Sequence, residues 1–329
     1  MRIGIFYPKV FPLSMKIYAD TIMRYLEAGG YSFSLFKSTD NIPQNVDIYW
    51  DPRVGGGALP EINKNDVSKP IVATLHGTAL FTLPLSENRF KFSDTLYMLQ
   101  NRKRFKRDWK KYENNFEKII TVSEYAKSEI IKNLSIKAER IVPIHHAFDK
   151  DLFHSKKKEG PDKYLLHVSV YQPKKNIERI INAYNLLGSN EEIPRLVLVA
   201  PNYPGTIKNK KITLINNTIS RERVAEYMQS AFAFIMPSLH ESFGLPILEA
   251  MACGVPVITS NVTGCPEISG GAAILVNPRD TKEIAKAIWD LSNNEILRNE
   301  LVQKGLKRAG EFSWEKSANK HREVFEQIV

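Results

Sequence analysis

The sequence predicts an α/β protein made of two doubly wound parallel-sheet domains. Short apolar runs of strand type alternate with helical patterns along the whole chain, which is the arrangement of parallel α/β units. At 329 residues the chain is long enough for two domains with substantial cores. A charged stretch without apolar periodicity, Phe153 to Lys163, contains Gly160-Pro161 and reads as the linker between two such series. Periodicity alone also allows other two-domain α/β proteins, such as periplasmic-type binding proteins.

Taken in order, residues 2–6 read as a strand. Residues 15–28 read as a helix with Ile17, Thr21, Tyr25 and Ala28 near one face, stopped by Gly29-Gly30. Strands follow at 31–37 and 46–50. Ile71 to Leu75 is a short buried strand ending at His76-Gly77. Lys118 to Ser123 is another, leading into a helix over 124–133, and Ile141 to Ile144 closes the first series. The second series has strands at Tyr164 to Val168, Arg195 to Ala200 and Lys211 to Ile215, and a helix over 281–292. No solenoid-period repeat or low-complexity segment interrupts it. The expected division is 1–155, 156–313 and a terminal helix, 314–329.

Apolar content of 43% and charged content of 25% are globular values. No apolar run reaches the length of a membrane span. Met1 to Pro8 reads as a first strand rather than a secretory signal. Cys253 and Cys265 form no disulfide framework, so a reducing cytoplasm is the expected compartment. The net charge of +10 suits nucleic acid, an anionic membrane or phosphorylated small molecules. Zinc-finger spacing, an RRM-type aromatic pair and a basic helix-turn-helix are all missing, so no nucleic-acid partner is expected.

The chemistry concentrates in the stretch from Ala231 to Thr259. Ala231 to Met236 is a buried-strand run, and Pro237 to Ser242 is a polar loop. Pro246 suits the first turn of a helix, Gly254 the residue past its end, and Pro256 blocks a restart. Val255 to Thr259 reads as the next strand. The loop therefore lies at the carboxyl end of a parallel strand, where open α/β sheets hold ligands. Glu241 in the loop and Glu249 in the helix bracket a helix N-terminus suited to phosphate. As pure acceptors the two carboxylates suit sugar hydroxyls. Two glutamates alone would read as solvated surface; the whole stretch reads as a site.

Glu241-x7-Glu249, with Phe243-Gly244-Leu245-Pro246 inside it and Glu249-Ala250-Met251-Ala252 at its end, resembles the donor-site signature of glycosyltransferase family 4. These are retaining nucleotide-sugar transferases of GT-B fold, two Rossmann-like domains facing across a cleft. The resemblance assigns Glu249 to the ribose and Glu241 to the transferred sugar, with Phe243, Gly244 and Leu245 lining the donor. Lys174-Lys175-Asn176 after Pro173 resembles the family's P-R-K-N segment, so Lys175 and Lys174 would meet the diphosphate. Both lysines can serve only if their turn curls. Where the family carries Gly-Arg this chain has Ser169-Val170, so one cation of the usual pair is absent. His76 resembles a family histidine that faces the transferred sugar. Ser123 and Tyr125 resemble an acceptor-side segment, although helix capping explains Ser123 equally well. Ser14-Met15, in the loop after the first strand, takes the place of the family's glycines. Asn216-Asn217-Thr218-Ile219 matches the base-binding turn, with Asn217 and Ile219 as donor contacts. Gly264 and Glu267, in a G-x-P-E segment, read as structural. Phe312-Ser313-Trp314 resembles the start of the terminal helix that returns to the first domain.

The resemblance implies an enzyme that moves a hexose, GDP-mannose being the first choice of donor, to a glycan or lipid-linked acceptor in bacterial surface polysaccharide assembly. A UDP-sugar donor and a non-catalytic nucleotide-sugar-binding homologue are the alternatives. No cofactor or metal is expected. Asp149-Lys150-Asp151 has the form of a metal-holding D-x-D but reads as structural, and His145, His146 and His154 lack zinc spacing. Gly55-Gly56-Gly57 precedes Ala58-Leu59-Pro60 rather than a helix and reads as an acceptor loop. Residues 89–111 carry nine Lys or Arg against Asp94 and Asp108, with Leu96, Leu99, Phe105 and Trp109 interleaved and Tyr112 just beyond. This reads either as a basic surface for anionic membrane, peripheral on the inner face, or as a helix packed on the first domain.

Overall fold

A computed structural model describes the chain apart from residues 56–58, 85–86, 88–93, 113, 157–162 and 189 and the side chains of 94–98. The chain divides into two compact units, one of residues 1–85, 91–147 and 312–329, the other of 86–90 and 148–311.

The first unit contains β1 (Arg2–Phe6), α1 (Leu13–Ala28), β2 (Ser32–Phe36), β3 (Ile48–Val54), β4 (Ile71–Leu75), α2 (Ala79–Thr82), α3 (Asp94–Trp109), β5 (Lys118–Thr121), α4 (Glu124–Leu134) and β6 (Ile141–Pro143). Among the described residues its strands form a parallel sheet in the order β2-β1-β3-β4-β5-β6. Both faces are covered, so β4 is buried along its whole length. Ile48 and Trp50 turn to one face, with Tyr18 and Ile22 of α1. Tyr49 turns to the other, with Ile130 of α4 and with Phe105 and Trp109 of α3.

The structure departs from the sequence pattern at α1 and β3. Pro12 caps α1, its carbonyl accepting from the Lys16 N–H at 2.9 Å, so the helix starts at Leu13 and Ser14 lies exposed in its first turn rather than in a loop. Strand β3 continues past residue 50 through Asp51-Pro52-Arg53, which as a sequence looks like a strand end. It survives because the buried charges meet opposite charges and backbone N–H groups close by. The Asp51 carboxylate accepts from the N–H groups of Arg53 and Glu61, at 3.2 and 3.4 Å. The Arg53 guanidinium pairs with Glu61 at 3.1 Å and lies over the Phe6 ring. Pro52, lacking an N–H, falls where the pairing with β4 shifts register.

The second unit contains β7 (Tyr164–Val168), α5 (Ile177–Leu186), β8 (Arg195–Val199), β9 (Ile212–Ile215), α6 (Arg221–Ser230), β10 (Ala233–Met236), α7 (Leu245–Ala252), β11 (Val257–Ser260), α8 (Cys265–Ser269), β12 (Ala273–Val276), α9 (Thr281–Asn293) and α10 (Glu295–Gly310). Its described strands form a parallel sheet in the order β12-β11-β10-β7-β8-β9. The order reverses between β7 and β10. That is the switch point at which loops diverge and a doubly wound sheet opens a crevice. The last helix, α11 (Trp314–Glu326), belongs to the first unit, where Val324 and Phe325 are buried in the same core as α1.

Among the described residues no helix is long and apolar enough to cross a membrane. The linker expected at 153–163 lies partly outside the described residues, as do Gly56, Gly57 and Ala58 of the glycine loop.

Candidate active site

The site of the second unit forms at its switch point. Lys174 and Lys175 follow β7, and Glu241 follows β10, so adjacent strands deliver the basic turn and the acidic loop side by side. The basic turn curls. Pro173–Lys175 makes one turn of 3₁₀ helix, and Asn176 takes the left-handed conformation at φ 65°. Asn176 is buried, and its side-chain amide donates to the carbonyls of Pro237 and Pro278, at 2.8 and 2.7 Å. The Lys174 carbonyl accepts from the Leu239 N–H at 2.8 Å. The two loops are thus stitched together.

The Lys175 ammonium sits 2.7 Å from Oε1 of Glu241, with both side chains mostly buried. Burial pushes the Glu241 carboxyl up, but Lys175 and Lys174 outweigh it and hold the acid below its ordinary range. Lys174 is pushed down by burial, against the pull of Glu241. His240 next to them is pushed down to about 4, by burial and then by Lys174. Beneath the turn, the buried His167 bonds the Ser169 hydroxyl at 2.8 Å, and Val170 stands exposed.

Gly264 places Glu241 through a close approach. A Cβ there would come within 2.8 Å of the Ser242 carbonyl oxygen and 2.9 Å of that of Glu241. The Gly264 N–H donates to the Glu241 carbonyl at 2.9 Å, and the Glu241 N–H donates to the Thr263 hydroxyl at 3.1 Å. Helix α7 opens on Gly244 at φ +93°, a conformation that glycine adopts without cost, and has no side-chain cap. Pro246 falls in its first turn, and Gly254 follows its end, as expected. Phe243 is buried, and Leu245 is half-buried at the helix start.

Glu249, buried in α7, meets a different cation. Nη2 of Arg221, in the first turn of α6, lies 2.9 Å from its Oε1. Burial raises the Glu249 carboxyl above its ordinary value, and Arg221 pulls the other way. Sequence reasoning missed Arg221. Ser220 ahead of it signals a helix cap, and its hydroxyl does accept from the Arg223 N–H, but nothing in the pattern marks a partner 28 residues away. In the turn before α6, Asn216 clamps the backbone of Tyr203 in both directions, at 2.8 and 3.0 Å, which leaves Asn217 exposed and Ile219 half-buried.

The remaining candidates lie in the first unit. His76 ends β4; its Nε2 is 2.8 Å from the Pro52 carbonyl, and burial lowers its pKa to about 4. Its ring packs edge-on against Tyr18 and His146. Ser123 caps α4, accepting from the Ala126 N–H at 3.0 Å, and Tyr125 follows half-buried in the same first turn. Asp149, in the second unit, accepts from the N–H groups of Asp151 and Leu152, at 3.0 and 3.3 Å, as a turn former. Among the described residues no group of three His, Cys, Asp or Glu is arranged to hold a metal ion.

Comparison with known proteins identifies the class. Residues 149–308 match the family model of glycosyl transferases group 1, and residues 51–152 match that of glycosyltransferase family 4. The chain thus carries a glycosyl transferases group 1 domain and a glycosyltransferase family 4 domain. It is 33% identical over 219 residues to O-antigen chain mannosyltransferase B of Escherichia coli, a match covering 60% of this chain and 57% of that one. The chain therefore spans little more than half the length of that relative. Sucrose-phosphate synthase from Thermosynechococcus elongatus superposes with a TM-score of 0.75 at 17% identity, over 100% of this chain and 99% of that one. Anabaena Alr3699/HepE, solved in complex with UDP-glucose, superposes with a TM-score of 0.71 at 15% identity over 100% of both chains. The fold is of the GT-B class, with two Rossmann-like parallel-sheet units.

Proposed function

We propose that the protein is a retaining glycosyltransferase that moves a hexose from a nucleotide diphosphate sugar, GDP-mannose first, to a glycan or lipid-linked acceptor in bacterial surface polysaccharide assembly. The observation that carries this reading is the Lys175–Glu241 pair at the switch point, with the buried Glu249 one helix further on. The likeness to a mannosyltransferase of O-antigen chains supports mannose as the sugar and a glycan as the acceptor.

In this reading the leaving diphosphate takes Lys175 from Glu241. Lys175, Lys174 and the opening turn of α7 then face the charge that develops on the phosphate oxygen. The released Glu241 accepts hydrogen bonds from the sugar hydroxyls, and Glu249 accepts them from the ribose. The departing phosphate oxygen takes the acceptor's proton as attack occurs on the same face. Asn217 and Ile219 lie against the base. His76, Ser123, Tyr125 and Ser14 belong to the unit assigned to the acceptor.

A thermal-shift panel of nucleotide sugars tests the donor, because ligand at a hundred times its Kd adds about 2.7 kcal/mol. Anomeric NMR of the product tests retention. Stabilisation by a UDP-sugar and not by GDP-mannose would replace the donor. Stabilisation without transfer or slow donor hydrolysis would favour the non-catalytic reading that Ser169 and Val170 invite.

A further inference from the structure

We propose that Arg221 is the positioning residue for the ribose-binding carboxylate: from the first turn of α6 it holds Glu249 as an oriented carboxylate ready for a nucleotide's diol. This rests on the ribose role given to Glu249 above. The geometry is asymmetric. The Glu249 side chain is 6% exposed and that of Arg221 40% exposed, so the guanidinium reaches inward from the surface to a buried acid. Arg221 is itself held, its guanidinium lying over the Phe153 ring at 5.2 Å. It engages Oε1 from the α6 side; a carboxylate has a second oxygen to offer a sugar hydroxyl.

The charge around Glu249 makes Arg221 hard to replace. Helices α8 and α10 and strands β10 and β11 also surround α7. Among the described residues, the charged groups acting on Glu249 are Arg221 and, with opposite effect, Asp149 from the segment that opens the second unit. A buried acid with a second acid nearby and one cation depends on that cation to stay ionised. A protonated Glu249 would lose part of its acceptor capacity just where the diol needs it.

The test is calorimetry of GDP and UDP binding at pH 6 and pH 8, with wild type, Arg221→Ala, Arg221→Lys and Glu249→Ala. Each affinity is taken as a ratio to wild type at the same pH, which cancels the nucleotide's own titration. Arg221→Ala is expected to bind more weakly, and more so at pH 6 than at pH 8, by about tenfold for each unit by which the Glu249 pKa rises above pH 6. Arg221→Lys should restore most of the affinity and the wild-type pH dependence. Misfolded protein would lower the stoichiometry rather than the affinity. Arg221→Ala with wild-type affinity at both pH values overturns the inference. So does an equal loss at both pH values that lysine does not rescue, since that marks direct contact with the nucleotide. If Glu249→Ala leaves nucleotide affinity unchanged, the ribose reading itself fails. If Glu249→Ala weakens binding and Arg221→Ala does not, the inference alone fails.

Discussion

Lys175 and Glu241, 66 residues apart in sequence, meet at 2.7 Å because β7 and β10 are neighbours at the switch point of their sheet. The pair lets each loop hold its charge before substrate arrives. Lys175→Ala should remove about 3 kcal/mol of transition-state stabilisation, on the order of 100-fold in kcat/KM. It should also leave Glu241 buried without its nearest cation, so the melting temperature should fall as well. Steady-state kinetics beside thermal melts separates the two losses. An unchanged kcat/KM would remove Lys175 from the chemistry.

Lys174 has the opposite balance. Burial lowers its pKa, so folding disfavours its charged form. That penalty is fully present below the folded-state pKa and is relieved as pH rises towards the ordinary value of 10.5. Lys174→Met should therefore raise the melting temperature while weakening nucleotide diphosphate binding, less severely than Lys175→Ala does. A variant that is stabilised and binds as tightly as wild type would show that Lys174 is not the substitute for the missing arginine at position 170.

Much of this site could be read from sequence because its parts carry local signals. Gly244, Pro246 and Gly254 mark the limits of α7, and the strand runs before Lys174 and Glu241 put both at carboxyl ends. The curl of the Lys174-Lys175 turn could not be read. It depends on Asn176 reaching carbonyls 61 and 102 residues away. Arg221 escaped for the same reason. The first unit was less legible where polar residues are buried. Asp51 and Arg53 look like a loop until the bonds from Glu61 and the Phe6 ring are known. Pro12 falls in a segment that reads as loop, and its own backbone is not helical, but its carbonyl accepts the first bond of α1 from Lys16.

Asn176 gives a test of the stitching. Asn176→Ala loses two buried hydrogen bonds and puts a Cβ residue without local stabilisation at positive φ, and should cost about 2–4 kcal/mol of stability. Asn176→Gly keeps the left-handed backbone free of strain but still loses both bonds. Denaturant unfolding should place glycine between wild type and alanine. Equal costs for the two variants would show that the backbone conformation contributes nothing.

Gly264→Ala tests the close approach behind Glu241. The added Cβ meets two backbone carbonyl oxygens, neither of which can rotate away as a side chain would. The Glu241 loop must shift, and catalysis depends on sub-ångström placement. Turnover should fall by about 10- to 100-fold, while nucleotide diphosphate affinity, which rests on Lys175 and Glu249, should change little. Parallel losses in both would mean that the whole second unit had been disturbed.

The first unit should be acid-labile. Burial lowers His76 and His321 to about 4 and holds His146 well below the ordinary 6.5. All three rings pack against Tyr18, whose hydroxyl lies 2.6 Å from Nε2 of His321. Because the folded-state values lie below 6.5, their contribution is full above that pH and is lost as pH falls from 6.5 towards 4. Melts across that window should fall steeply, and His146→Phe should flatten the slope. A slope unchanged by that substitution would place the acid sensitivity elsewhere.

Phe105 and Trp109 of α3 are buried in the first unit's core beside the half-buried Tyr112, so these aromatics are not available to enter a bilayer. Arg89, Lys91 and the side chain of Leu96 lie outside the described residues. Among the described side chains, α3 and the residues just after it expose Leu99 and Gln100 and then charge, from Lys103, Arg104, Lys106, Arg107, Lys110 and Lys111, with Asp108 half-buried among them. Such a face can attract an anionic surface at about 1 kcal/mol per nearby cation, while the single exposed Leu99 offers little of the apolar insertion that makes binding independent of salt. We therefore predict sedimentation with phosphatidylglycerol vesicles, none with phosphatidylcholine vesicles, and release as ionic strength rises and the Debye length shrinks to about 8 Å at 0.15 M. Lys103→Glu with Lys106→Glu and Lys110→Glu should abolish sedimentation and leave soluble-acceptor turnover intact. Sedimentation that ignores anionic lipid content, or that survives the triple substitution, would remove this helix as the membrane contact.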